Sequence, residues 1–187
     1  MRVLLAGLIG GVVFFLWGAV AHMALPIGEM GMRAPTNEEA VLAALREGLP
    51  AEGAYYLPYL SPDQMGDEAA TRAYSARATS NPYAWIVYQP QGRDSLQMGS
   101  NMALQFASGT LAALLMAWLM GLGEFGIARR LGIAPALGIF AWLAISVPYW
   151  NWYRFPLDLT LANLIEQAVG WVLAGSATAW WLGRSRR

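Results

Sequence analysis

The chain has 187 residues, 57% of them hydrophobic and 13% charged, which is too apolar for an ordinary soluble domain of this size. Formal net charge is zero, so no basic or acidic excess points to nucleic acid or another polyelectrolyte partner. With no cysteine, disulfides, zinc–thiolate sites and iron–sulfur clusters are excluded.

The first element is an apolar run over residues 3–25, free of acidic and basic side chains except for His22, the chain's one histidine. It is long enough to cross ~30 Å of hydrocarbon at 1.5 Å per residue. An Ala-Val-Ala triplet before His22 resembles a signal-peptidase site. The run is longer than a secretory core and contains Trp17, so it reads as a membrane span.

Pro26, Gly28, Gly31 and Pro35 end this helix and open a segment over residues 26–95. Thr36 and Glu39 form a capping-box pattern for a short helix that Gly48 stops. Ser61-Pro62-Asp63-Gln64 starts a second helix running to about Ala78. Tyr83–Gln89 reads as a strand, with the Ala54–Tyr59 region as its partner. About 70 residues without disulfides are marginal as a free domain. The many tyrosines suit a headgroup-level surface, so this segment is expected to lie on the membrane as a cap.

Three further spans follow, over residues 96–122, 132–150 and 157–182. Pro135 falls in the first turn of the third, and Pro148 kinks or ends it. Trp150, Trp152 and Tyr153 form one aromatic belt, Trp180 and Trp181 the other. The expected fold is thus an all-α membrane protein with four transmembrane helices and a small, mostly helical extracytoplasmic cap between the first two. Arg2, Arg129, Arg130, Arg184, Arg186 and Arg187 all flank spans on one side, whereas the cap segment carries nine acidic residues and five arginines. The positive-inside rule places both termini in the cytoplasm. The absence of lysine beside abundant Arg, Ala and Gly suggests a GC-rich bacterial genome, and hence a bacterial inner membrane.

At 100° per residue, spacing along each helix sorts the polar side chains onto faces. Gly7, Gly11, Gly18 and His22 fall within ~60° of arc on span 1, and Gly7 with Gly11 forms a GxxxG pair that should pack against a neighbour. On span 4, Asn163, Glu166 and Gln167 share a face with small residues. Asn101 and Gln105 share one with Ser108 on span 2. Glu166 lies ~12 Å into its helix, where a carboxylate must face a cavity or a partner. Span 1 and span 4 run in opposite directions, and side chains lean toward their helix N-terminus, so His22 and Glu166 lean toward each other's depth. The expectation is a His22–Glu166 proton-sharing pair lining an outward-facing pocket, with Asn101, Gln105, Asn163 and Gln167 as hydrogen-bond partners. The bland alternative is interhelical hydrogen bonding at ~0.6 kcal/mol per group.

No nucleophile motif surrounds Ser100 or Ser108, and there is no P-loop or GxGxxG, so no catalytic residue and no cofactor are expected. Met30, Met32 and Met98 read as loop filler rather than soft-metal ligands. The stretches WGAVAHMALPIGEMG, EGAYYLPY and PYWNWYRFPLDLT resemble short bacterial inner-membrane proteins without an assigned activity. The resemblance implies the same four-span layout and brings no ligand or catalytic residue with it. Two functions are expected. The leading one is a non-enzymatic accessory protein whose lipid-bound body presents the cap to a membrane-protein partner. The other is a small transporter or sensor that uses the His22–Glu166 layer for a proton or a small polar ligand.

Overall fold

A computed structural model describes residues 1–184; Arg186 and Arg187 of the basic flank lie outside the described residues. In chain order the elements are α1 (Arg2–Met23), a 3₁₀ turn (Pro26–Glu29), α2 (Glu38–Gly48), β1 (Gly53–Leu57), a second 3₁₀ turn (Pro62–Gln64), α3 (Glu68–Ser80), β2 (Ala84–Tyr88), α4 (Gly99–Gly121), α5 (Ile127–Ala141), a π-helical turn (Trp142–Ser146), α6 (Val147–Tyr153) and α7 (Leu157–Arg184). They form two compact units. One is Met1–Met32 together with the chain from Ser95 onward; the other is Arg33–Asp94.

In the first unit α1 lies between α4 and α7, and α7 turns another face to α5. Small residues set these approaches. Gly7 and Gly11 lie against Leu114 and Thr110 of α4, and Gly10 against Ala174 and Thr178 of α7. Gly175 lies on Ala134 of α5, and Gly138 on the Gln167 carbonyl. Apolar helices in lipid gain nothing by hiding from water, so close backbone approach and van der Waals contact are what hold them. The core is built from Phe14, Met116, Met120 and Trp171 with Ala6, Ala113, Ala117, Ala174 and Ala179. The Phe14 and Trp171 rings stack at 4.3 Å. Thr178 Oγ1 donates to the Ala6 carbonyl at 3.2 Å, a buried link between α7 and α1.

The expected GxxxG packing is present, but its face is narrower than expected. Gly18 has nothing near it, and the His22 end of the stripe meets α7 rather than α4. The third span begins earlier than residue 132, at Ile127, so Pro135 is inside the helix and not in its first turn. Pro148 does not end the rod. The π turn ahead of it widens the backbone where Pro148 offers no N–H, and the helix continues to Tyr153. Arg154, at φ 53°, then reverses the chain in the left-handed region.

The second unit pairs β1 with β2 antiparallel, Tyr55 opposite Ile86 and Leu57 opposite Ala84, as the strand pattern predicts. Tyr56 packs edge-on against Tyr83 at 5.5 Å and Trp85 at 6.3 Å, and Tyr74 donates to the Tyr56 hydroxyl at 3.4 Å. Its helix starts differ from the sequence reading. The cap of α2 is Asn37, whose side chain accepts from Ala40 N at 3.0 Å, and not Thr36. Ser61–Gln64 makes only a 3₁₀ turn. The helix proper restarts after Gly66, with Asp67 Oδ1 accepting from Ala69 and Ala70 N. None of the residues Arg33–Asp94 is buried.

Candidate functional site

Pro26 ends α1 and turns the chain back along the helix it has just left. His22 stands in the last turn of α1, and Gly28 of the 3₁₀ turn presses on its imidazole, where any Cβ would collide with Nδ1. Three residues on, Gly31 (φ 81°) lies against Asp158 and Leu159 at the start of α7. Glycine is needed there twice over, for the positive φ and for the close approach.

Opposite Gly28, His22 Nε2 and Glu166 Oε1 are 3.3 Å apart. The Glu166 side chain is 20% exposed and that of His22 53%, so the pair is at the edge of the helical unit and open to its surroundings. One turn deeper, Trp17 Nε1 donates to the Glu166 backbone carbonyl at 3.0 Å. The indole fixes α7 against α1 at the same residue whose carboxylate meets the histidine. Neutral His22 protonated at Nε2 donates a hydrogen bond to the carboxylate; protonated on both nitrogens it makes an ion pair.

The remaining expected members do not join this pair. Gln167 Oε1 accepts from Trp171 Nε1 at 2.9 Å, one turn along its own helix. Asn163 is partly buried on α7, with no hydrogen bond to the pair among the described residues. Asn101 and Gln105 are exposed on α4, where Ser100 Oγ donates to Asn101 Oδ1 and Ser108 Oγ to the Gln105 carbonyl. The reason is axial. α4 is exposed throughout residues 99–108 and is covered only from Gly109 and Thr110 onward, so Asn101, Gln105 and Ser108 lie ahead of its packed stretch. A polar layer drawn from three helices is thus reduced to two side chains from α1 and α7.

Two contributors were not singled out by the sequence reading, Trp17 and Gly28. Trp17 carried a signal, because an indole N–H within an apolar helix needs an acceptor and the nearest are carbonyls of a neighbour. Gly28 carried none beyond being a helix breaker. No group of three or more potential His, Asp or Glu metal ligands converges among the described residues.

Compared with protein families, with curated proteins and with solved structures, the chain matches none. Its class rests on its own physics. Arg2–Met23, Gly99–Gly121 and the continuous rod Ile127–Tyr153, of 22, 23 and 27 residues, are each long and apolar enough to cross a membrane. α7 is longer still at 28 residues, but Asp158, Asn163, Glu166, Gln167 and Arg184 dilute its apolar character. By length and composition this is a helical membrane protein.

Proposed function

We propose that the protein is a non-enzymatic accessory protein of a bacterial inner membrane, in which α7 is a fourth span, both termini face the cytoplasm and the Arg33–Asp94 unit engages a membrane-protein partner on the other side. The observation that carries this reading is that the unit has no buried residue while exposing Val41, Leu42, Leu57, Tyr59, Met65 and Val87. A folded segment that buries so little of its own apolar surface gains stability from whatever covers it. Both strands of its two-stranded sheet also keep an unpaired edge. In the test, a photo-crosslinking residue replaces Val87 or Leu42 in living cells, with Glu47 as the control position. Discrete protein adducts from Val87 and Leu42 support the reading. Adducts to lipid alone, or none, sink it.

A second reading is favoured by one observation, the 3.3 Å approach of His22 and Glu166 at an exposed edge. In it the pair handles a proton or a small polar ligand for a transporter or sensor. Glu166→Gln and His22→Asn, made separately, decide it. If folding, stability and cellular phenotype all stay wild-type in both, this reading loses its support; a loss of stability alone makes the pair interhelical glue.

A further inference from the structure

Helix α2, Glu38–Gly48, is 11 residues and ~16 Å long. At 100° per residue Val41, Leu42 and Leu45 lie within ~100° of arc and form one apolar face. Val41 is 46% and Leu42 37% exposed, and Leu45 is half-buried. Glu39 and Arg46 stand on one flank of this face. They are two turns apart and within ~20° of each other around the axis. Neither makes an ion pair or a side-chain hydrogen bond with another described residue. We propose that the occupant of this face is α2 of a second copy of the chain, packed antiparallel about a two-fold axis. The proposal rests on the reading of Arg33–Asp94 as an interaction unit and names the partner.

Two observations select that occupant. The first is self-complementary charge. A two-fold axis perpendicular to antiparallel helices brings the same flank of each together with the ends exchanged. With the crossing between Leu42 and Ala43, Glu39 of one copy stands at the height of Arg46 of the other. Two Glu39–Arg46 pairs then form at once, and Leu42 meets Leu42. A parallel pair brings opposite flanks together and forms neither. The helix dipole accounts for acid in the first turn and base in the last, but not for their sharing a flank beside the apolar face. The second observation is the sign of the surrounding charge. α2 carries Glu38, Glu39 and Glu47 against Arg46, the reverse of a helix built to lie on anionic headgroups. A contact this short is weak between free chains, whereas copies held in one membrane meet at high local concentration.

The test uses the full chain in its native membrane. The sequence has no cysteine, so Leu42→Cys supplies a single thiol, and a disulfide between copies is read on a non-reducing gel. Leu42→Cys should give a band at twice the chain's mass, and Glu47→Cys, on the far side of α2, should not. In the Leu42→Cys background, Glu39→Arg alone or Arg46→Glu alone puts like charges into both pairs and should lower the dimer yield about fivefold. Coexpressing these two variants with different tags should restore the yield as a heterodimer, because each supplies the charge the other lacks. A dipole effect within one helix would not be repaired by mixing. If Leu42→Cys does not accumulate, Val41→Cys is held to the same criteria. Unchanged yield in the single variants, no recovery in the mixture, or equal crosslinking from Glu47→Cys overturns the proposal. The photo-adduct formed from Leu42 separates this inference from the reading beneath it. An adduct of two copies supports both. An adduct with a different protein keeps the accessory-protein reading and overturns the pairing of copies, and adducts to lipid alone sink both.

Discussion

At Gly11 an added methyl group would stand 2.5 Å from Thr110 Oγ1 and 2.8 Å from its Cα. The hydroxyl can rotate away but the backbone cannot, so Gly11→Ala should push α1 from α4. The expected loss is about 1–3 kcal/mol, the range for overpacking, measured by thermal unfolding in detergent. Gly18→Ala is the contrast. It has open space around it, and should be neutral or stabilising by up to about 1 kcal/mol. The sequence put both glycines on one stripe and could not separate them, because periodicity reports which side of a helix a residue occupies and not what stands opposite. His22 and Glu166 were legible for a better reason: helix direction, side-chain lean and the scarcity of charge in the spans left few ways to arrange them. Asn101 and Gln105 were not, because spacing along one helix does not show where its neighbours begin to cover it, and the first turns of α4 run exposed ahead of Gly109. In the Arg33–Asp94 unit, the hydroxyl bond between Tyr74 and Tyr56 lifts the Tyr74 phenol above its ordinary range, with its slight burial adding to the effect. A raised folded-state value means that this stabilisation is complete below the ordinary phenol value and lost as pH climbs through the raised one. In an alkaline tyrosinate absorbance titration, Tyr74→Phe should therefore remove the phenol that ionises late and leave the earlier ones in place.

Among the elements, the start of α2 offers the sharpest discrimination. Two polar residues, Thr36 and Asn37, precede the helix, and only the second accepts from a helical N–H. Asn37→Ala should destabilise α2 by about 1 kcal/mol and Thr36→Ala should not, as read by amide exchange of Ala40 and Val41. Sequence pattern located this helix to within a residue or two but chose the wrong cap, since Ser, Thr, Asn and Asp all satisfy the same rule. The rod Ile127–Tyr153 shows a different kind of limit. Proline signals a break, yet the chain absorbs Pro148 by a π turn, and Trp142 of that turn donates its indole N–H to the Thr160 carbonyl of α7 at 2.8 Å. Replacing Trp142 with Phe removes the bond while keeping an aromatic ring, and should cost about 0.5–1.5 kcal/mol in thermal unfolding.

At the scale of the whole molecule the two units should differ in how they depend on their surroundings. The helical unit has a buried core of its own, from Ala6 and Phe14 to Trp171 and Leu182, whereas Arg33–Asp94 has none. Replacing residues 33–94 by a short Gly/Ser linker should leave the thermal midpoint of the helical unit within a few degrees of the parent. The excised segment should show amide exchange close to that of an unfolded chain. The strand pairing was visible in the sequence as punctuation by proline and glycine, whereas the segment read as 26–95 is a compact unit only over Arg33–Asp94, because residues 26–32 fold back onto the helical unit. The missing core was visible only as a size and the absence of cysteine. That absence is convenient, because a single introduced cysteine at Glu124 reports its compartment without background. Labelling there from the cytoplasmic side supports the proposed orientation; labelling from the opposite side overturns it.

The seat of Gly31 on Leu159 has a mechanical corollary. Within the helical unit, the chain leaving α1 is held against the first turn of α7 before it reaches residue 33. Tension arriving along residues 33–37 is therefore delivered first to α7, two turns from Glu166, and strains the clasp over the imidazole before it can unwind the helix that bears it.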